Sequence, residues 1–162
     1  MVQDQLKKSE NMTVKAIKPT KPVFFDTNSL SWLPWVIEGT WFKLLNVDMK
    51  TGGYSMLLKV DPDNDAPVHG HLGAVEGIIL EGEFGYDDDR GSHLHYVWEA
   101  AGAVHQPDSP GGFTMFAVLH SPLVGYNDDG SLAGVIDGKM MYTMARDGGQ
   151  AAHLEVDYPD LE

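Results

Sequence analysis

From Gly39 onward the chain is written in short runs of alternating apolar and polar residues, broken every few positions by Gly, Asn, Asp and Pro. Such runs bounded by turn residues predict β-strands. Thr40–Val47 and Tyr54–Val60 are two of them, separated by Lys50-Thr51-Gly52-Gly53. Val68–His71, the apolar run Gly77–Leu80 and Phe84–Tyr86 follow, with Glu81-Gly82-Glu83 as a tight turn before the last. His93–Trp98 alternates cleanly, and Phe113–His120 is strongly apolar. Asn127-Asp128-Asp129-Gly130 and Asp137-Gly138 read as hairpin turns around Leu132–Ile136, with Lys139–Met144 as a further strand. Strands at this pitch, without a convincing amphipathic helix, predict an all-β barrel or sandwich.

The flanks read differently. Residues 1–20 are polar and aperiodic, which predicts a mobile or subunit-bridging arm before a single domain spanning 21–162. Trp32-Leu33-Pro34-Trp35 reads as a lid across a barrel end, or as a tryptophan lining a pocket or a subunit contact. After Arg146 the chain is Gly-rich and then acidic, and is expected to be loosely held.

Composition narrows the classes. A chain of 162 residues is the size of one domain with a real core, and 18 glycines with 9 prolines suit a turn-rich β fold. The net charge of −13 argues against nucleic acid and against an anionic membrane surface as partners. The absence of cysteine excludes disulfides, a thiolate nucleophile and thiolate-held metals. No stretch has the length and apolarity of a signal peptide or a membrane span, so a cytoplasmic protein is expected. Gly-x-Ser-x-Gly and phosphate-binding glycine signatures are both missing.

Candidate chemistry centres on His69-Gly70-His71. Residues i and i+2 of a strand share a face, so both imidazoles can aim at one point. Glu76 follows a short loop and can return to the same region. His105, on a second strand approach, can supply a third nitrogen. Three neutral imidazoles suit a divalent first-row metal, whereas burying them together without one costs several kcal/mol. The alternative is that they are satisfied core histidines. His93-Leu94-His95 has the same spacing but no carboxylate at the right distance, and reads as one face of a partly exposed strand. The aspartates of 87–89 read as a solvated loop, and His120 has no assigned role.

His69, His71, Glu76 and Gly82, answered by His105 after Gly102, resemble the paired motifs of the cupin superfamily. Glu99-x-x-Gly-Ala-Val-His105 and the four-residue gap before Glu76 resemble the small bacterial cupin dioxygenases that cleave carbon–carbon bonds of acetylacetone and 2,4'-dihydroxyacetophenone. That resemblance implies a single-domain double-stranded β-helix, or jelly-roll, barrel. It also implies Fe(II) on His69, His71 and His105, and a dioxygenase acting on a small-molecule diketone or hydroxyketone with O2. Glu76 is then either a fourth ligand or stands outside the ligand set, and Glu99 orients a ligand or accepts a substrate proton. Tyr54, Trp98, Met115 and Phe116 are candidate pocket walls. A homodimer or homotetramer is expected. Three imidazoles do not choose among iron, zinc, nickel and manganese, so a non-oxidative isomerase or hydrolase and a metal-binding sensor stay open.

Overall fold

The computed structural model describes residues 24–64 and 66–154, so the proposed arm over 1–20 and the last acidic residues lie outside the described residues. Twelve strands carry the described part: β1 (Leu33–Pro34), β2 (Thr40–Val47), β3 (Tyr54–Val60), β4 (His69–His71), β5 (Val75–Gly82), β6 (Phe84–Tyr86), β7 (Asp89–Gly91), β8 (Tyr96–Glu99), β9 (Val104–His105), β10 (Phe113–Leu119), β11 (Leu123–Tyr126) and β12 (Leu132–Ile136). They form a six-stranded sheet in the order β1-β2-β3-β10-β5-β8, a four-stranded sheet β12-β11-β4-β9, and the hairpin β6-β7. All named pairings are antiparallel, giving the expected all-β jelly-roll architecture.

Alternation sets which side chains enter the barrel. On β10, Met115, Ala117 and Leu119 are buried, while Thr114, Phe116 and Val118 take the other face. On β2 and β3, Phe42, Leu44, Tyr54 and Met56 turn inward and join Ile79 and Phe84 in the core. The i, i+2 rule of a pleated strand accounts for this selection.

Three expectations need correction. Lys139–Met144 is helical: α1 spans Gly138–Asp147. Its Met141 and Ala145, four residues apart, are both fully buried. Asp137 is the N-cap rather than half of a hairpin turn, and its Oδ1 accepts from the Met140 amide at 2.8 Å. A short apolar run has no period long enough to separate helix from strand; packing against β2 decided it. Asp137→Ala should therefore lower stability by about 1 kcal/mol, read as a fall in thermal midpoint with unchanged strand content.

The second correction concerns His93–Trp98, where the strand begins only at Tyr96. Ser92–His95 is a turn closed by His95 N–H on Ser92 O at 2.8 Å, with Leu94 at φ 63°. His93 and His95 are thus exposed turn residues and not one strand face. Third, the chain after Arg146 is docked over its described part. Ala151 and Leu154 pack on the core, and His153 Nε2 donates to Leu44 O at 2.8 Å.

The aromatic-proline stretch adds an edge strand to the six-stranded sheet, and Trp35 lines the barrel cavity. Leu33 and Pro34 pair with Phe42 and Trp41, and Trp35 reaches inward, its indole N–H 3.2 Å from Met141 Sδ. Among the described residues no helix is long and apolar enough to cross a membrane.

Candidate metal centre

Strand β4 is three residues long and lies between β11 and β9. Its alternation sends the rings of His69 and His71 to one side, leaving Gly70 against Tyr126 and Val104 on the other. A Cβ at Gly70 would stand 3.1 Å from the Tyr126 ring, which explains the smallest residue between two histidines. The ladder places His69 opposite His105, so two distant segments deliver their imidazoles to one point.

The three rings form a nearly equilateral triangle. Centroids are 5.0 Å apart for His69–His71 and 4.8 Å for each pair with His105, with interplanar angles of 72–77°. One nitrogen from each lies within 4.8 Å of the other two. His69 Nδ1 donates to Pro67 O at 3.0 Å, which leaves its Nε2 as the lone-pair nitrogen. The Nε2 atoms of His71 and His105 are 2.8 Å apart. Two imidazole nitrogens bound at right angles to one cation, each at about 2.1 Å, would be separated by about 3 Å. The donor set and spacing therefore fit a first-row divalent ion.

Electrostatics keeps these rings neutral. Burial, and then the neighbouring imidazoles, push His71 down to about 4. His105 falls to about 4 through burial and then His69. His69 is also lowered by burial, partly opposed by its bond to Pro67. An unfolded histidine takes a proton near pH 6.5, whereas these do so only at lower pH. Between those values the unfolded chain binds more protons, so the metal-free protein loses stability as pH falls. Its thermal midpoint should drop between about pH 7.5 and about pH 5.5, and His71→Ala should flatten that dependence.

Strand pairing separates the two glutamates. Val75 pairs with Glu99, and Glu76 with Trp98. Residues directly opposite share a face, so Glu99 accompanies Val75 into the barrel while Glu76 and Trp98 point out. Glu99 Oε2 is 3.3 Å from His71 Nε2, and Oε1 is 3.9 Å from His105 Nε2. Burial raises the Glu99 carboxyl above its ordinary range, and the Tyr86 hydroxyl bond opposes that rise. Glu76 instead accepts from His120 Nε2 at 2.7 Å and from the Tyr96 hydroxyl at 3.0 Å on the outer surface. The expectation that Glu76 returns to the histidines is thus not met.

His69 and His71, with Tyr86 and Glu99, line a cavity of about 460 Å³ whose walls are mostly apolar, among them Trp35, Met56, Leu58, Phe113 and Met115. No lysine or arginine lines it among the described residues. Of the four candidate wall residues only Met115 lines this space. Phe116 faces away, Trp98 is 57% exposed on the outer face, and Tyr54 is buried in the core outside the cavity. Apolar composition selected these residues, whereas the phase of each strand decided their direction.

Tyr86 was missed. Its ring stacks on His105 at 4.5 Å and 23°, and its hydroxyl donates to Glu99 Oε1. The signal was present in Phe84-Gly85-Tyr86, where i and i+2 share a face next to the motif glycine.

Comparison with known proteins agrees with this architecture. The ChrR cupin-like domain family matches residues 20–124. The chain belongs to that family. A comparison with curated proteins by sequence finds no match for this cupin. Among solved structures it is similar to an RmlC-like cupin protein from Ralstonia eutropha, at 20% identity and TM-score 0.75, covering 85% of this chain and 93% of that one. A second Ralstonia eutropha protein with a cupin-like fold is 21% identical with TM-score 0.76, covering 90% and 99%. An acetylacetone dioxygenase from Acinetobacter johnsonii is 17% identical with TM-score 0.70, covering 82% and 95%. At these identities the likeness of this cupin to its neighbours is one of fold.

Proposed function

We propose that this cupin is a non-haem Fe(II) dioxygenase that cleaves a carbon–carbon bond of a chelating diketone or hydroxyketone with O2. The observation that carries the reading is the convergence of three neutral imidazoles, two of which line a mostly apolar cavity large enough for an organic substrate. The fold shared with an acetylacetone dioxygenase supports it.

His69, His71 and His105 would hold the iron. When bound there, iron supplies the redox chemistry, and both atoms of O2 end in the two carbonyl or carboxylic fragments. The remaining work belongs to side chains. Glu99 stands beside the histidines, where it can take the proton lost as a diketone becomes an enolate. Tyr86 holds that carboxylate in place through its hydroxyl. The apolar walls exclude water, which strengthens the attraction between the cationic centre and an enolate oxygen.

The test is anaerobic loading with Fe(II), followed by oxygen-uptake assays with acetylacetone and 2,4'-dihydroxyacetophenone. Uptake above the metal-free protein supports the reading, and none with any diketone or hydroxyketone overturns it. Activity that persists without O2 when zinc, nickel or manganese replaces iron would favour an isomerase or hydrolase.

A further inference from the structure

Register places four residues in one row across the inner face of the four-stranded sheet. His105 pairs with His69, His69 with Gly125, and Gly125 with Gly134. Directly opposed residues of an antiparallel pair share a face, so the row runs His105, His69, Gly125, Gly134 from β9 to β12. Two imidazoles occupy its first half, and no side chain occupies the second. Neighbouring strands lie about 4.8 Å apart, so the bare stretch reaches about 10 Å from His69 to the outermost strand.

Neither backbone nor packing requires glycine at these two positions. Neither is among the glycines with positive φ. A Cβ on Gly125 would meet Ala133 Cβ at 3.8 Å and Gly134 O at 4.0 Å, which is ordinary contact. One on Gly134 would meet nothing within 4 Å among the described residues. The bulge of this hairpin falls at Ala133, between the pairs Gly125–Gly134 and Tyr126–Leu132, and asks no special dihedral of either glycine. Glycine inside a strand weakens it, so two in register need another cause, and the one their surroundings supply is close approach of a ligand.

Those surroundings are the cavity itself. Gly125 and Gly134 line it together with His69 and His71, and Leu123, Ile136 and Met140 give it apolar walls nearby. Gly134 and Met140 are also exposed, and β12 is the edge of its sheet, so the bare stretch opens to solvent there. The charged residues lining the cavity are Glu99 and Asp108, both acidic. A carboxylate or phosphate on a ligand would be stripped of water without a cationic side chain to meet it. An apolar group would gain by leaving water.

We infer that Gly125 and Gly134 form the specificity track of this cavity. It takes an uncharged apolar substituent, a phenyl ring or a short alkyl chain, carried by the ketone at the histidines, and Gly134 sets how bulky that substituent can be. The inference rests on the reading of the cavity as a substrate site. It narrows the substrate class to neutral ketones larger than acetylacetone, whose methyl groups are too short to reach β12.

The experiment is isothermal titration of the full chain, metal-free and zinc-loaded, with acetylacetone, benzoylacetone and acetopyruvate. The three share one diketone head; a phenyl ring replaces one methyl in the second and a carboxylate replaces it in the third. Benzoylacetone should bind wild type at least about 10-fold more tightly than acetylacetone, and acetopyruvate should bind the metal-free chain most weakly. Gly134→Val should cut the preference for benzoylacetone over acetylacetone by at least about 10-fold. Its thermal midpoint should stay level or rise, because valine suits a strand better than glycine. A glycine kept only for the scaffold would give the reverse, a lower midpoint with the preference intact. Equal affinities of wild type for benzoylacetone and acetylacetone, or an unchanged preference in Gly134→Val, would overturn the inference. So would failure of benzoylacetone to bind either form of the wild type. Gly125→Ala, whose added methyl meets only ordinary contacts, carries the same comparison if Gly134→Val does not fold. Binding that follows this pattern without oxygen uptake by the iron-loaded protein would sink the dioxygenase reading and leave the track standing.

Discussion

His105→Ala should lose more than about 100-fold in metal affinity, and with it any oxygen uptake, while far-ultraviolet circular dichroism stays that of the wild type. Loss of a ligand exceeds the 10- to 100-fold typical of removing a group that merely orients one. The barrel should survive because β9 holds β4 through backbone pairing at Gly70–Val104 and His69–His105, which needs no imidazole. Truncation also removes the ring on which Tyr86 stacks, so some loosening of the Glu99–Tyr86 pair is expected. Stoichiometric metal in the purified variant, measured by elemental analysis, would show that the third ligand lies elsewhere.

Gly82→Ala should be the most damaging small change in the scaffold. Gly82 ends β5 with φ +71°, a region that costs a residue with a side chain about 1–3 kcal/mol. An added Cβ would also fall 2.1 Å from Gly112 O and 2.8 Å from Phe113 Cα. Both neighbours are backbone, so no rotamer change relieves the overlap. Strain and clash together should lower stability by at least about 3 kcal/mol, or roughly 10 °C in Tm. A shift below 1 °C in calorimetry would mean that the turn opens at little cost. The same geometry explains why the first histidine motif ends in glycine: β5 must turn into β6 directly against the backbone of β10, and β6 delivers Tyr86 to His105 and Glu99.

How much of this was legible beforehand follows the range of the interactions. Alternation along Thr40–Val47, Tyr54–Val60 and Phe113–Leu119 is a local property, so these strands and their turns could be read from residue order. The i, i+2 pair His69 and His71 was legible for the same reason, and His105 from its likeness to a second motif. Direction across the barrel was not. Glu76 and Glu99 are the same residue type, each near a motif histidine, and only the pairing Val75–Glu99 sends one inward and the other out.

The amino-acid order by itself determined an all-β chain carrying three histidines able to meet, because periodicity and ligand chemistry are written in neighbouring residues. The tertiary structure alone decided that Lys139–Met144 coils into a helix, that Phe116 and Trp98 turn away from the cavity, and that Tyr86 stands against His105 and Glu99. Each of these depends on strand phase or on packing between segments far apart in the chain, and a one-residue change of register would reverse every inward and outward side chain of the strand concerned.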